Sequence, residues 1–398
     1  MNKIDQEKIN EVLNRGVEAV YPSKQDLEKV LLSDKKIKLY HGIDPTGPTL
    51  HLGHMVQLLK LKQFQDLGHQ VILLIGDFTA MIGDPTDKSA TRQPLTRKQV
   101  LANCKGYKKQ ISKILDLKKT IFKFNSEWLA KMTFEDIINV ASEFTVQRML
   151  ERDMFEKRMK EGKPIHLHEF LYPLMQGYDS VALNVDLETG GNDQTFNMLA
   201  GRNLMKSLKN KEKFVLTTKL LEDPTGKKMG KSEGNMVSLD DSPNEMYGKV
   251  MSWPDEFIIR GFEIATVVTN SELEQAKKDL AGGKNPKTLK MLLAYKVVEV
   301  YYGKDQAAAA EDNFKKIFEE KLNPDEIPEF KIKAKNIIEV LVETKLASSK
   351  SEARRLISQG GIKVEAEIIK DENYNVESAG RDSVVIQKGK RYFAKIIF

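Results

Sequence analysis

Two clusters in this chain have the residue types and spacing to act on a polyphosphate. The first is His51-Leu52-Gly53-His54, which closes the run Tyr40-His41-Gly42-Ile43-Asp44-Pro45-Thr46-Gly47-Pro48-Thr49-Leu50. Glycine and proline make that run a turn, and Thr49 is a candidate cap. His51 to His54 are therefore expected in the first turn of a helix. Residues three apart share a helix face. Two imidazoles then stand beside the free amides and positive dipole of a helix N-terminus, a setting suited to phosphate. Gly53 lets a flat ring or a backbone come close. A chance pair of surface histidines and a metal pair are the alternatives. No third ligand is apparent nearby, and zinc sites usually have three or four protein ligands.

The second cluster begins about 175 residues later: Gly226-Lys227-Lys228-Met229-Gly230-Lys231-Ser232-Glu233-Gly234-Asn235. Its three glycines predict a mobile loop and its three lysines a cationic one. Such a loop can close over a polyphosphate and neutralise charge that builds up at bond exchange. Alone it would read as a solvated surface loop. Its pairing with the histidine motif favours the polyphosphate reading.

These clusters need elements to hold them. Ile37 to Tyr40 reads as a strand and Leu52 to Gln65 as a helix. Val71 to Gly76 is a continuous apolar run, as expected for a strand buried on both faces. Helical patterns come next around Arg97 to Leu115, Phe134 to Ser142 and His168 to Ser180, with strands at Ala182 to Glu188 and Phe214 to Thr218. Strands alternating with helices imply a parallel sheet, which binds ligands at the carboxyl ends of its strands. The segment from Arg97 to Pro164 reads as a mostly helical insertion in a doubly wound domain. Pro243 to Pro324 reads as almost wholly helical, with Asn270 and Asn285 as caps. Pro324 and Pro328 punctuate a polar linker. After Asn336 come two short helical segments and several short strands.

Composition bounds the function. The 398 residues carry 63 Lys plus Arg and 57 Asp plus Glu, a net +6, with 40% apolar and 30% charged. These are globular proportions at a length suited to two or three domains. No apolar run approaches the roughly 20 residues of a membrane span, and the first residues lack a signal-peptide block. One cysteine, Cys104, excludes an internal disulfide framework and points to a reducing, cytoplasmic setting. From Lys331 onward there are 14 Lys/Arg and 9 Asp/Glu, a net +5. The rest of the chain therefore keeps 49 of the 63 basic and 48 of the 57 acidic residues, a net +1. A basic tail is a candidate nucleic-acid module, or else an ordinary solvated small domain.

The motifs carry a resemblance. His51-Leu52-Gly53-His54 looks like the HIGH signature of class I aminoacyl-tRNA synthetases, and Lys228-Met229-Gly230-Lys231-Ser232 like their KMSKS loop, with Leu52 for isoleucine and Gly230 for serine. Helical spacing puts Tyr172, Gln176 and Asp179 on one face. A phenol hydroxyl donates one hydrogen bond and accepts another. A carboxylate acceptor and a tyrosine donor would satisfy both, and would leave unpaired groups against a phenyl analogue, a trait already established for tyrosyl enzymes. YHGIDPT, IGDPT, YPLMQGYDS and GGNDQTFN together resemble the tyrosyl-tRNA synthetase family, most of all its bacterial members, along the whole chain.

That resemblance implies a Rossmann-like α/β catalytic domain with a helical insertion, then an α-helical domain and a small α+β RNA-binding domain. The implied boundaries are 1–222, with 97–164 as connective insertion and dimer interface, then 223–328 and 329–398. Tyr40 and Asp179 are expected at the substrate hydroxyl, and Asp84, Tyr172 and Gln176 at its ammonium. Gly42, Asp44, Thr79 and Gln194 complete the tyrosine site. Asp44, Thr46, His51, Gly53, His54, Gly191, Asp193 and Gln194 are expected around the adenosine and α-phosphate. Lys88, Arg92, Lys228, Met229, Lys231 and Ser232 are expected at the phosphates. His51, His54, Lys88, Arg92, Lys228 and Lys231 are the catalytic set. The family often has a cysteine where His41 stands and a Trp-Gly pair where Thr195 and Phe196 stand. The implied partners are tyrosine, ATP with Mg²⁺, tRNA and a second copy of the chain, with no protein-bound metal and no membrane.

In the tail, Ala347 to Gly361 reads as a serine-capped helix that stops at a glycine pair and leads into a strand. The stretch resembles the S-four-type RNA-binding domain, with Lys350, Arg354, Arg355 and Lys363 as RNA contacts. Ordinary solvated cations are the plain alternative. Three other functions compete: a tryptophanyl enzyme of the same fold, a small-molecule nucleotidyltransferase, and a non-enzymatic RNA-binding protein with a synthetase body.

Overall fold

The computed structural model describes residues 3–33, 35–85, 95–222, 236–318, 327–332, 334–377, 381–389 and 392–398. Lys88, Arg92, Lys228, Met229, Lys231 and Ser232 lie outside them.

Six strands form the first sheet: β1 (Val17–Tyr21), β2 (Lys38–Ile43), β3 (Gln70–Ile75), β4 (Thr120–Phe124), β5 (Leu187–Gly191) and β6 (Phe214–Thr218), in the order β1-β6-β5-β2-β3-β4. β2 to β6 run parallel, as the alternation of strands and helices requires. Connections lead outward from β2 to β3 on one side and from β5 to β6 on the other. The crevice between β2 and β5 is thus the topological switch point, where such sheets bind ligands.

Four expectations about the sheet and its connections need correction. The sheet is not wholly parallel: β1 pairs antiparallel with β6 at the edge. The strand expected at Ala182 to Glu188 starts later. Its first residues finish the helix Leu167–Leu183, and Asn184 turns the chain at φ 48° before β5. A short apolar run does not separate buried helix from buried strand. The segment Arg97 to Pro164 contains β4, which pairs with β3, so Thr120 to Phe124 belong to the sheet and the segment is not one helical insertion. The helix expected over Arg97 to Leu115 is two short helices, Arg97–Asn103 and Tyr107–Ile111, joined by a tighter turn.

Beyond the sheet, helices span Pro243–Met251, Phe257–Ile264, Asn270–Ala281, Pro286–Tyr302 and Lys304–Phe318. Thr269, not Asn270, caps the third: its hydroxyl accepts from the Glu272 amide at 3.2 Å and Glu272 reaches back. Asn285 caps the fourth, as expected. Apolar side chains of the sheet, such as Leu39 and Leu73, and of these helices, such as Trp253 and Leu293, form one continuous core. Buried cations stitch it at helix ends, where carbonyls lack partners. Arg15 donates to the carbonyls of Phe262, Glu263 and Thr266 at 3.0–3.1 Å. Lys60 donates to those of Val12 and Arg15 at 2.8 and 3.0 Å.

The tail has its own core, built on Ile337, Leu341, Ile357, Ile386 and Ile396. Its strands are β7 (Glu329–Lys331), β8 (Ile362–Val364), β9 (Glu367–Ile368), β10 (Ser383–Lys388) and β11 (Tyr392–Ile397), in the order β7-β11-β10-β8-β9. The helix Lys350–Ser358 is capped by Ser349 and ends at Gly360, φ 68°.

Candidate active site

A cavity of about 740 Å³ opens at the carboxyl ends of β2 and β5. Its walls bring together Tyr40, Gly42, Asp44, Thr46, His51, Gly53, His54, Thr79, Asp84, Tyr172, Gln176, Asp179, Gly191, Asp193 and Gln194, every described residue expected to meet tyrosine or ATP.

The histidine motif opens the helix Leu52–Asp66, but His51 rather than Thr49 is its cap. His51 Nδ1 accepts from the Gly53 amide at 3.1 Å, and His54 Nδ1 accepts from the His51 amide at 3.1 Å. The two rings lie 4.0 Å apart. Two of the amides that a phosphate was expected to use are therefore taken by the imidazoles. A neutral imidazole has one donor nitrogen and one acceptor. With both Nδ1 atoms accepting, both protons sit on Nε2, so the rings present N–H donors in place of the amides. Gly53 allows a close approach: a Cβ there would lie 2.9 Å from His51 Cε1, so the ring would have to shift.

The lysine loop falls outside the described residues, but its two ends do not. Leu220 and Leu221 on one side and Met236 and Val237 on the other line the cavity. Leu52 donates to the Val237 carbonyl at 3.0 Å and Leu239 to that of Leu50 at 2.8 Å. The chain leaving the loop is thus stapled beside His51.

The opposite wall is a network of buried and half-buried polar groups. Asp44 accepts from the Tyr172 hydroxyl at 2.8 Å and from Thr79 at 2.7 Å. Gln194 donates to Asp84 at 2.7 Å, and Arg152 stands 3.8 Å from the same carboxylate. Asp179 accepts from the Trp128 indole at 2.8 Å and from Asn125 at 3.3 Å. Burial pushes the Asp179 carboxyl well above the usual carboxylate range, while those two donors pull it down. Tyr40 is fully buried and shares a hydrogen bond with Ser180 at 3.0 Å.

Several of these residues escaped the sequence. Asn125 and Trp128 come just after β4, a strand that residue order does not announce, and Asn125 stands where a carboxyl-terminal residue of the sheet should. Glu188, buried with the rest of β5, passed as an ordinary strand residue. Arg152 lies between the rings of Phe155 and Phe196, at 5.4 and 5.1 Å, and only the fold brings it to Asp84.

The departures have local explanations. His41 Nδ1 bonds the Thr189 carbonyl at 2.9 Å, and burial lowers the imidazole pKa. That ring therefore ties β2 to β5. Thr195 bonds back to the Asn192 carbonyl, and Phe196 supports Arg152.

In the tail, Arg355 is exposed and Lys363 half-buried, while Lys350 pairs with Glu339 at 2.9 Å and Arg354 with Glu372 at 3.4 Å. Among the described residues no group of three metal-ligating side chains occurs, and no helix is long and apolar enough to cross a membrane.

Known proteins resemble this chain along nearly its whole length. Residues 32–319 match the family described as tRNA synthetases class I (W and Y), and residues 319–396 match the tyrosine–tRNA ligase SYY-like C-terminal domain. The chain is 48% identical to a tyrosine–tRNA ligase of Carboxydothermus hydrogenoformans, over 98% of this chain and 97% of that one. It is 47% identical to the tyrosine–tRNA ligase of Thermotoga maritima, over 97% and 96%. A C-terminally truncated mitochondrial tyrosyl-tRNA synthetase of Aspergillus nidulans superposes with TM-score 0.66 at 24% identity, covering 78% of this chain and 94% of that one.

Proposed function

Because the chain belongs to the tyrosine–tRNA ligases of the class I synthetases, we propose that the cavity at the carboxyl ends of β2 and β5 joins tyrosine to ATP, with a separate task for each of its walls. The enzyme is a tyrosine–tRNA ligase, with tyrosine, ATP and tRNA as its substrates. The tyrosine carboxylate attacks the α-phosphate, giving tyrosyl-adenylate and pyrophosphate. The terminal hydroxyl of tRNA then takes the tyrosyl group. No side chain forms a covalent bond; the chemistry is positioning and charge stabilisation.

His51 and His54 act as Nε2–H donors to phosphate and not as general bases. The observation that carries this reading is that each Nδ1 already accepts a backbone amide. Lys88, Arg92, Lys228, Met229, Lys231 and Ser232 meet the phosphate end. Support comes from the loop's two ends, Leu221 and Met236, which both line the cavity. Asp84, Tyr172 and Gln176 hold the ammonium, with Thr79 and Asp44 behind them. Tyr40 and Asp179 hold the phenol hydroxyl. Gly191, Asp193 and Gln194 border the adenosine. Mg²⁺ arrives with ATP as part of that substrate. The Lys231→Ala variant is expected to lose about 10²-fold in adenylate formation, as for one preorganised donor. Wild-type ATP–pyrophosphate exchange in that variant contradicts the assignment.

We divide the chain at about 222 and 328, with the tail binding tRNA through Lys350, Arg354, Arg355 and Lys363. Its separate core and its net +5 support the second of these boundaries. The enzyme works as a cytoplasmic homodimer through the connective segment. Exposed Phe134 (78%), Val146 (67%) and, just beyond the segment, Leu167 (83%) supply apolar surface suited to a second copy. Sedimentation of Phe134→Lys/Leu167→Lys is expected to show monomers; an unchanged dimer contradicts this interface.

A further inference from the structure

Under the phenol end of the cavity lies a buried ion pair for which the two-step chemistry has no use. Lys213 and Glu188 are both buried, and their charged atoms are in direct contact. Lys213 Nζ also donates to Ser180 Oγ at 2.7 Å. Ser180 Oγ lies 3.0 Å from Tyr40 Oη and 3.3 Å from Glu188 Oε2. The other Glu188 oxygen accepts from Gln176 at 3.1 Å. β2 and β5 set Tyr40 directly opposite Glu188 in register. Room for the ammonium comes from Gly201, where a Cβ would lie 2.7 Å from both Lys213 Nζ and Ser180 Oγ.

A buried ion pair is poor evidence for stability, since apolar pairs of like volume often serve as well. What it does supply is direction. An ammonium has three donors and no acceptor, so Ser180 Oγ must accept from Lys213. The serine proton then has two acceptors in reach. Ser180 can donate to Glu188 Oε2 at 3.3 Å, but Tyr40 Oη is nearer, at 3.0 Å, and takes the serine proton in the chain proposed below. With Ser180 donating to it, Tyr40 has its own proton for the cavity, in preference to Glu188 and to the Gln176 carbonyl at 3.5 Å.

We propose that Lys213, held by Glu188, is a positioning residue that aligns the Ser180 and Tyr40 hydroxyls into one donor chain aimed at the substrate phenol. The chain runs ammonium, serine, tyrosine, substrate, and ends on Asp179, which takes the substrate's proton in a hydrogen bond. The ammonium at one end polarises the links that follow it. Phenylalanine breaks the chain at its last link and leaves Tyr40 and Asp179 unpaired. This rests on the assignment of Tyr40 and Asp179 to the phenol.

The test is the ratio of kcat/KM for tyrosine over phenylalanine in ATP–pyrophosphate exchange, for Tyr40→Phe, Ser180→Ala, their double variant, and Lys213→Met/Glu188→Gln. The paired variant leaves no lone buried charge, and thermal unfolding confirms folding of each. Ser180→Ala and the paired variant are expected to lower the ratio about tenfold, as for one lost hydrogen bond, with the KM for ATP unchanged. Tyr40→Phe lowers it at least as far, and adding Ser180→Ala costs nothing more. A wild-type ratio in the Ser180 and Lys213 variants beside a lowered one in Tyr40→Phe overturns the proposal, as do additive losses in the double variant. An unchanged ratio in Tyr40→Phe instead sinks the assignment of Tyr40 itself.

Discussion

The Gly53 amide donates to His51 Nδ1 at 3.1 Å, so the first turn of the helix is closed by the very ring that faces the cavity. A methyl group at Gly53 would meet that ring at 2.9 Å. Gly53→Ala is therefore expected to turn the imidazole and reduce the exchange rate by about tenfold or more, with the KM for tyrosine near wild type. His51→Ala removes both cap and donor. It should cost about 10²-fold in kcat and about 1 kcal/mol in stability. Exchange kinetics and urea unfolding measure the two losses separately.

Trp128 supplies the shorter of two hydrogen bonds to Asp179. Trp128→Phe leaves that carboxylate oxygen without its donor. The KM for tyrosine is expected to rise about tenfold, a charged hydrogen bond's worth, with little change in the KM for ATP. An equal rise in both would mean a general collapse of the site.

Lys60 is buried with its amine on two carbonyls, and desolvation pushes its pKa down to about 7. Between pH 7 and the unfolded value of 10.5, the unfolded chain holds a proton that the folded chain does not. Stability from this site therefore rises with pH in that window, by at most about 1.4 kcal/mol per unit. Below pH 7 the folded chain must bury the charge, and the penalty is complete. Unfolding free energies from pH 6.5 to 9 should climb more steeply in the wild type than in Lys60→Met. Parallel curves contradict the shift.

Removing residues 329–398 leaves the core shared by the sheet and the helical region intact, because the tail is built on a separate one. Tyrosine-dependent exchange is expected to survive while charging of tRNA is lost. In the full chain, Arg355→Glu should weaken tRNA binding and flatten its salt dependence, since phosphate contacts release counterions.

The strands buried on both faces and the two signature motifs could be read from residue order, because continuous apolar runs and glycine–proline turns are local signals. β4 could not: Thr120 to Phe124 is short, partly exposed and set among lysines, so the pairing with β3 decides its state. Asn125 and Trp128 were hidden with it. The use of Thr269 as a cap, and of His51 Nδ1 in place of Thr49, turned on backbone dihedrals that side-chain types alone do not set. The Lys213–Glu188 pair joins residues 25 apart at the entry points of two neighbouring strands, and each stands near other charged residues, so only the fold singles the pair out.

ATP–pyrophosphate exchange measured with each of the amino acids in turn tests the account most directly. Exchange driven by tyrosine, and by phenylalanine weaker by about 10⁴-fold or more, is the expected result. Exchange driven by tryptophan, by phenylalanine at a comparable rate, or by no amino acid would contradict the reading of Tyr40 and Asp179 and, with it, the assignment of the cavity.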